Sequence, residues 1–143
     1  MRSIQRMLKL SGIAMMMCVW IGSYQAVAAG LDGSTPILCA FTTAAECDSR
    51  DGCERTTVED VDLPQFFKID LSKNTITAMG AAAGTAQKET KIMGTQRMDE
   101  TIILQGVELR GWTIVVSQKT GKMVLTASGD DEAFVLFGVC LPF

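Results

Sequence analysis

Five cysteines and sixteen acids are the side chains through which this 143-residue chain could do chemistry, and no histidine accompanies them. Four of the cysteines, Cys39, Cys47, Cys53 and Cys140, lie beyond residue 29. An even number in a small exported chain reads as two disulfides with three possible connectivities. Cys47 and Cys53 flank the polar segment Asp48-Ser49-Arg50-Asp51-Gly52, which can turn back on itself, so they pair locally. Cys39 with Cys140 then ties the first element to the last. The rival use of such cysteines is metal binding, but zinc sites favour CxxC-type spacing with histidine, and neither is present.

Catalysis is poorly supported by what remains. Without histidine, the usual general base and the centre of serine and cysteine triads is missing. Cysteines held in disulfides cannot act as nucleophiles. Carboxylate pairs such as Asp130 with Asp131, or Glu59 with Asp62, sit in polar stretches where acids are solvated, and no lysine stands in an apolar context that would depress its pKa. The acids of Asp48–Gly52 and Glu59–Asp62 lack the alternating oxygen ligands and sixth-position glycine of an EF-hand. Met79–Gln87 (MGAAAGTAQ) is rich in glycine, yet Thr85-Ala86 follow Gly84 where a phosphate-binding loop would carry Lys and Ser or Thr. It reads as a surface loop. A non-enzymatic chain without cofactor or metal is expected.

The start of the chain gives it an address. Arg2, Arg6 and Lys9 form a basic region, Leu10–Ile21 is apolar but short for a bilayer span, and Ala26-Val27-Ala28 or Val27-Ala28-Ala29 offers the small residues of a cleavage site. Residues 1–29 are therefore expected to be a signal peptide cut near Ala28 or Ala29, leaving one domain over residues 30–143 in the periplasm or outside the cell. A lipid anchor through Cys18 is the weaker reading, because bulky Met15-Met16-Met17 precedes it. The remaining domain carries all 16 acids against 10 bases, a net charge of −6. That balance excludes nucleic acid, which needs clustered Lys and Arg to displace counterions, and disfavours anionic lipid. No later stretch has the ~20 apolar residues of a membrane helix.

The elements that must position the cysteines alternate with period two. Pro36–Cys47 fits a helix or a strand; the strand is preferred because it places Cys39, Phe41, Ala45 and Cys47 on one face. Glu54–Leu63 reads as a solvated acidic loop in which Thr57 could cap one turn. Phe67, Ile69 and Leu71 alternate with Lys68 and Asp70, Ser72-Lys73-Asn74 turns, and Thr75–Ala78 returns; Phe66 is left on the wet face. Lys88–Met93 is a short edge strand, and Gly94–Asp99 turns into a meander over Thr101–Cys140. Within the meander, Ile102 and Leu104, then Trp112, Ile114 and Val116, then Met123, Leu125 and Ala127 point inward. Matching these faces predicts a four-residue loop Lys119-Thr120-Gly121-Lys122, with Val116 opposite Leu125. The last strand, Ala133–Cys140, is apolar on both faces, which predicts a cover on both sides. Seven to eight short antiparallel strands without a helix predict an all-β meander closing into a barrel or compact sandwich, stapled by disulfides.

Cys39-Ala40, Glu46-Cys47-Asp48, Gly52-Cys53, Leu63-Pro64, Phe67-x-Ile69-Asp70, Leu104-Gln105-Gly106, Gly111-Trp112, Gly121 and Phe137-Gly138-x-Cys140 together resemble an uncharacterised family of small exported proteins of Gram-negative bacteria. The likeness covers most of residues 30–143 and implies a periplasmic or secreted address. The family has no assigned activity. In architecture the chain is similar, more loosely, to small periplasmic lysozyme-inhibitor barrels and to lipocalin-like barrels, although the inhibitors' motif is absent. Two non-catalytic functions follow. The leading expectation is a module that binds an envelope protein or cell-wall component through loops, with exposed Leu109 and charged Arg110 in one candidate surface. The alternative is a carrier of a small apolar ligand inside a barrel lined by Phe67, Ile69, Trp112, Ile114, Leu125 and Phe134. The plainer role of those six residues is a filled core.

Overall fold

The structure, a computed structural model, describes residues 31–79 and 88–143. The proposed signal peptide lies outside the described residues, as does the glycine-alanine stretch beyond Met79. The described chain is all-β and antiparallel: β1 (Ile37–Asp48), β2 (Gly52–Thr56), β3 (Phe66–Asp70), β4 (Thr75–Met79), β5 (Glu89–Lys91), β6 (Gly94–Met98), β7 (Thr101–Val107), β8 (Gly111–Ser117), β9 (Lys122–Ser128) and β10 (Glu132–Pro142). They form one curled, barrel-like sheet in the order β5-β4-β3-β1-β10-β9-β8-β7-β6, with β2 paired to the far half of β1.

Ten strands occupy fewer positions around the curl than their number suggests. β5 and β6 stand at opposite ends of the sheet order, yet only Ile92 and Met93 separate them in the chain. Ile92 N donates to Asn74 O at 2.8 Å and Met93 N to Gln105 O at 2.8 Å, so these two residues hand hydrogen bonding from the β4 side to the β7 side. Gly94–Met98, expected to be a turn, is thus a strand; its register against Thr101–Gln105 satisfies backbone groups that a turn would leave to solvent.

Both disulfides form as expected, Cys39–Cys140 across the β1–β10 seam and Cys47–Cys53 within the β1–β2 hairpin. The two cysteines of β1 do not share a face, however. A bulge between Phe41 and Thr43 inserts one residue, so buried Ile37, Cys39 and Phe41 are followed by buried Ala44, and Cys47 falls on the opposite side. β1 could only be read as a regular strand from sequence, because a bulge has no period of its own.

The loop between β8 and β9 has the expected length and parity but sits one residue earlier in the chain. Ile114 faces Leu125 and Val116 faces Met123, leaving Gln118–Gly121 as the connection. Gly121 fixes this choice. Its φ is 69°, its N–H bonds Ser117 O at 2.9 Å, and its carbonyl accepts Cys140 N–H at 2.7 Å, so the turn docks on β10. The two-residue change in pairing keeps the apolar faces matched, which is why parity alone did not distinguish the registers.

The lower half of the curl is packed solid. Ile69, Ile102, Leu104, Ile114, Met123 and Leu136 are almost completely buried there. Leu31 joins this core, held by Gln118 Nε2 donating to its carbonyl at 2.9 Å. The outer face of β10 departs from expectation: Phe137, Val139 and Leu141 remain 48%, 47% and 66% exposed, so no element of the described chain covers it. The expected cover is present on the inner face of β10 alone.

Candidate functional site

The upper half of the curl is hollow, and the side chains that face inward there explain why. One row across the sheet reads Gly106 on β7, Trp112 on β8, Ala127 on β9 and Phe134 on β10. Ala78 on β4 adds another small inward residue. Large and small side chains alternate around this level: the Trp112 ring lies over Gly106, and Ala127 and Ala78 leave space that the rings do not fill. Below it, the row Leu104, Ile114, Leu125, Leu136 is uniformly large and forms a floor. The result is a half-open apolar cavity of about 270 Å³.

Five of the six residues predicted to line a ligand site or core meet around this cavity: Phe67, Trp112, Ile114, Leu125 and Phe134. Ile69 does not; it is fully buried in the packed half below. Phe41, not singled out from sequence, stacks on Phe67 with ring centroids 4.9 Å apart and completes one wall. Ala127 was expected to point inward, as it does, but its part in opening the cavity and the contact of Gly106 with Trp112 were missed. Their signal was present in the sequence: a glycine and an alanine at inward parity on either side of a tryptophan.

Val61–Pro64 forms part of the rim, shaped by a turn in which Asp62 N donates to Glu59 O at 3.1 Å and Leu63 N to Val58 O at 3.3 Å. Thr57 caps this turn, its hydroxyl accepting Asp60 N–H at 3.1 Å and donating to Asp60 Oδ2 at 2.7 Å. The β7–β8 turn supplies Glu108, Leu109 and Arg110. Leu109 is 88% exposed at the lip. Arg110, expected to be a charged anchor, is already engaged: its guanidinium pairs with Glu132 and lies 4.9 Å above the Phe134 ring. Across the opening, Glu108 bridges to Lys88 at 3.8 Å and accepts the Thr90 hydroxyl at 2.9 Å, which joins the β7–β8 turn to β5. Two ion pairs, Lys88–Glu108 and Arg110–Glu132, thus stand at the rim, and the interior is lined mainly by apolar side chains.

One polar atom stands apart. Trp112 Nε1 is a buried N–H that, among the described residues, has no hydrogen-bond partner. An unbonded buried donor costs about 1–3 kcal/mol.

The carboxylates considered for acid–base chemistry do not converge here. Asp131 is tied to the β1–β2 turn by the Ser49 hydroxyl at 2.5 Å and Arg50 at 3.9 Å. Glu59 faces a second recess bounded by Thr42, Thr43 and Thr57, while Asp62 lies on the rim of the main cavity. The carboxyls held below their ordinary range sit in local turns and bends: Asp32, by the Ser34 hydroxyl and amide; Asp48, by the Asp51 and Arg50 amides; and Asp70, first by the Ser72 hydroxyl and then by the Lys73 amide and charge. Among the described residues no three His, Cys, Asp or Glu side chains gather as a metal site.

Two disulfides are consistent with an oxidising, exported environment. Among the described residues no helix is long and apolar enough to cross a membrane. No protein-family model, curated protein or solved structure matches the chain.

Proposed function

We propose that this protein is a non-enzymatic, exported small-ligand carrier that holds an apolar molecule in the mouth of its β-barrel. The observation behind the proposal is the cavity of about 270 Å³ beneath the Glu108–Arg110 rim, walled by Phe41, Phe67, Trp112 and Phe134. Small-molecule sites span roughly 300–1,000 Å³. This one lies just below that range, which favours a short alkyl chain or a one- to two-ring aromatic over a long lipid. Each methylene it buries contributes about 0.8 kcal/mol. The ion pairs at the rim face water and leave the hydrophobic interior to do the binding. The absence of histidine and the disulfide-bonded state of all four cysteines beyond residue 29 support binding in preference to catalysis. The basic-apolar-small pattern of residues 1–29 and the two disulfides support a periplasmic or secreted location after cleavage near Ala28 or Ala29.

Trp112 provides the test. It is the sole tryptophan beyond Trp20, so once residues 1–29 are removed its fluorescence reports the cavity alone. The expected result is a saturable change in emission on titration with medium-chain alkanols or small arenes. Native mass spectrometry of protein from its own host should show a co-purifying small molecule. A clean apo mass together with an unresponsive Trp112 would overturn the carrier.

A further inference from the structure

The exposed outer wall of the barrel is a second candidate surface, independent of the cavity. Because β10 is apolar on both faces, its inward residues fill the core while Phe137, Val139 and Leu141 point outward. They do not stand alone. Ile103 on β7, Val115 on β8, Val124 on β9 and Phe137 form one continuous apolar row across four strands. Val139 adjoins Ala40 of β1, which in turn faces half-exposed Phe66 of β3.

Charge distinguishes this wall from the rest of the surface. Among the outward positions of β7 to β10, Lys122 is the single charged residue and there is no acid; the other positions are apolar, glycine, hydroxyl or amide. The 16 acids stand instead in turns, at strand ends, near the amino end of the domain, on the β1–β2 hairpin and on β5. A domain with a net charge of −6 repels its own copies at its ends. Two copies approaching wall to wall bring no acids together.

We infer that this wall, centred on β10, is the interface between two copies of the chain. Strands β8, β9, β10 and β1 stand ~4.8 Å apart, and the longer ones run ~36 Å, a panel of roughly 500–600 Å² in projection. The accessible area of a pleated face exceeds its projection, which brings each copy near the ~600–1,000 Å² per partner of specific interfaces. Face-to-face sheet packing places the two walls about 10 Å apart with their apolar side chains interleaved. A two-fold axis makes the same row meet itself, as a closed dimer requires. The ligand openings are left free, because the cavity rim lies at the end of the barrel.

Sedimentation velocity on protein from its own host, over a concentration series, should show a monomer–dimer equilibrium. An amine-reactive cross-linker on mixed isotopically light and heavy protein should join Lys122 or Lys68, which flank the wall, between copies. Phe137→Lys should weaken self-association at least tenfold with its far-UV spectrum unchanged. Leu141→Lys, at a more exposed position, gives the same reading if Phe137→Lys does not fold. Monomer at every concentration up to the millimolar range would overturn the inference. So would a dimer that survives both substitutions, or inter-copy cross-links confined to Lys88, Lys91 and Lys119. A monomer that instead co-sediments with phosphatidylcholine vesicles would also overturn it, and would assign the wall to a lipid surface.

Discussion

The indole of Trp112 occupies the space that a side chain on Gly106, its neighbour across the β7–β8 ladder, would take: a β-carbon built on Gly106 would overlap Cζ2 and Cε2 of the ring. The glycine therefore sets where the tryptophan lies, and the tryptophan forms a wall of the cavity. Gly106→Ala should push the indole away from β7 and into the cavity. The cost expected for overpacking is about 1–3 kcal/mol. Thermal melting would measure it, and the emission maximum of Trp112 should shift. An unchanged spectrum would mean that the ring has room elsewhere.

Trp112 itself separates two effects. Trp112→Ala removes a large aromatic body and should destabilise by about 3 kcal/mol, the low end for such changes because the ring is only partly buried. Trp112→Phe retains most of the ring and deletes the unbonded Nε1–H, whose burial costs about 1–3 kcal/mol. Its net effect should stay within about 1 kcal/mol of wild type. Denaturant unfolding of both variants would check this, and equal losses for the two would mean that the N–H is solvated in the folded protein.

The two disulfides should differ in strength and in access. Loop closure gives about 4–5 kcal/mol for Cys39–Cys140, whose ends are 101 residues apart, and about 2 kcal/mol for Cys47–Cys53, 6 apart. Cys39 and Cys140 are buried, whereas Cys53 is exposed. Mild reduction followed by alkylation and peptide mapping should label Cys47 and Cys53 first. The core pair should react only as the barrel unfolds.

Asp70 is buried at the end of β3 and organises the β3–β4 turn, accepting the Ser72 hydroxyl at 2.6 Å and the Lys73 amide at 3.1 Å. These bonds hold its carboxyl below the ordinary value of 3.8. A carboxyl with a depressed folded pKa stabilises the fold above its unfolded pKa, and that contribution disappears as pH falls through the folded value. Stability should therefore decline below about pH 4. Asp70→Asn should lower stability at neutral pH and flatten that part of the acid limb, as read by melting temperature against pH. An unaltered slope would assign the acid sensitivity to Asp48 and other carboxyls.

Much of this architecture could be read from residue order. The inward set Ile102, Leu104, Ile114, Val116, Met123 and Leu125 follows from period two, and the spacing of Cys47 and Cys53 pointed to their pairing. What could not be read were events that leave periodicity intact or interrupt it once. The β1 bulge reverses the face on which Cys47 falls, and the β8–β9 pairing shifts by two while every apolar face still matches. Phe67, Trp112 and Phe134 were recognisable as interior residues. Whether an interior is filled or hollow depends on which small residues share their level, and only the cross-strand registers bring Gly106 and Ala127 beside Trp112.

The seam between β1 and β10 has a consequence for biogenesis. On the proposed route of export, with the amino terminus crossing first, Cys39 would reach the oxidising side together with Cys47 and Cys53, and long before Cys140. Joining cysteines in order of arrival would link Cys39 to Cys47, which is not the native pattern. Maturation thus requires either that Cys39 stay reduced until the final strand docks or that a disulfide isomerase exchange an early bond. If exchange is the route, a cell lacking the isomerase should accumulate the mispaired chain and yield less folded protein; if Cys39 stays reduced, the yield should not change.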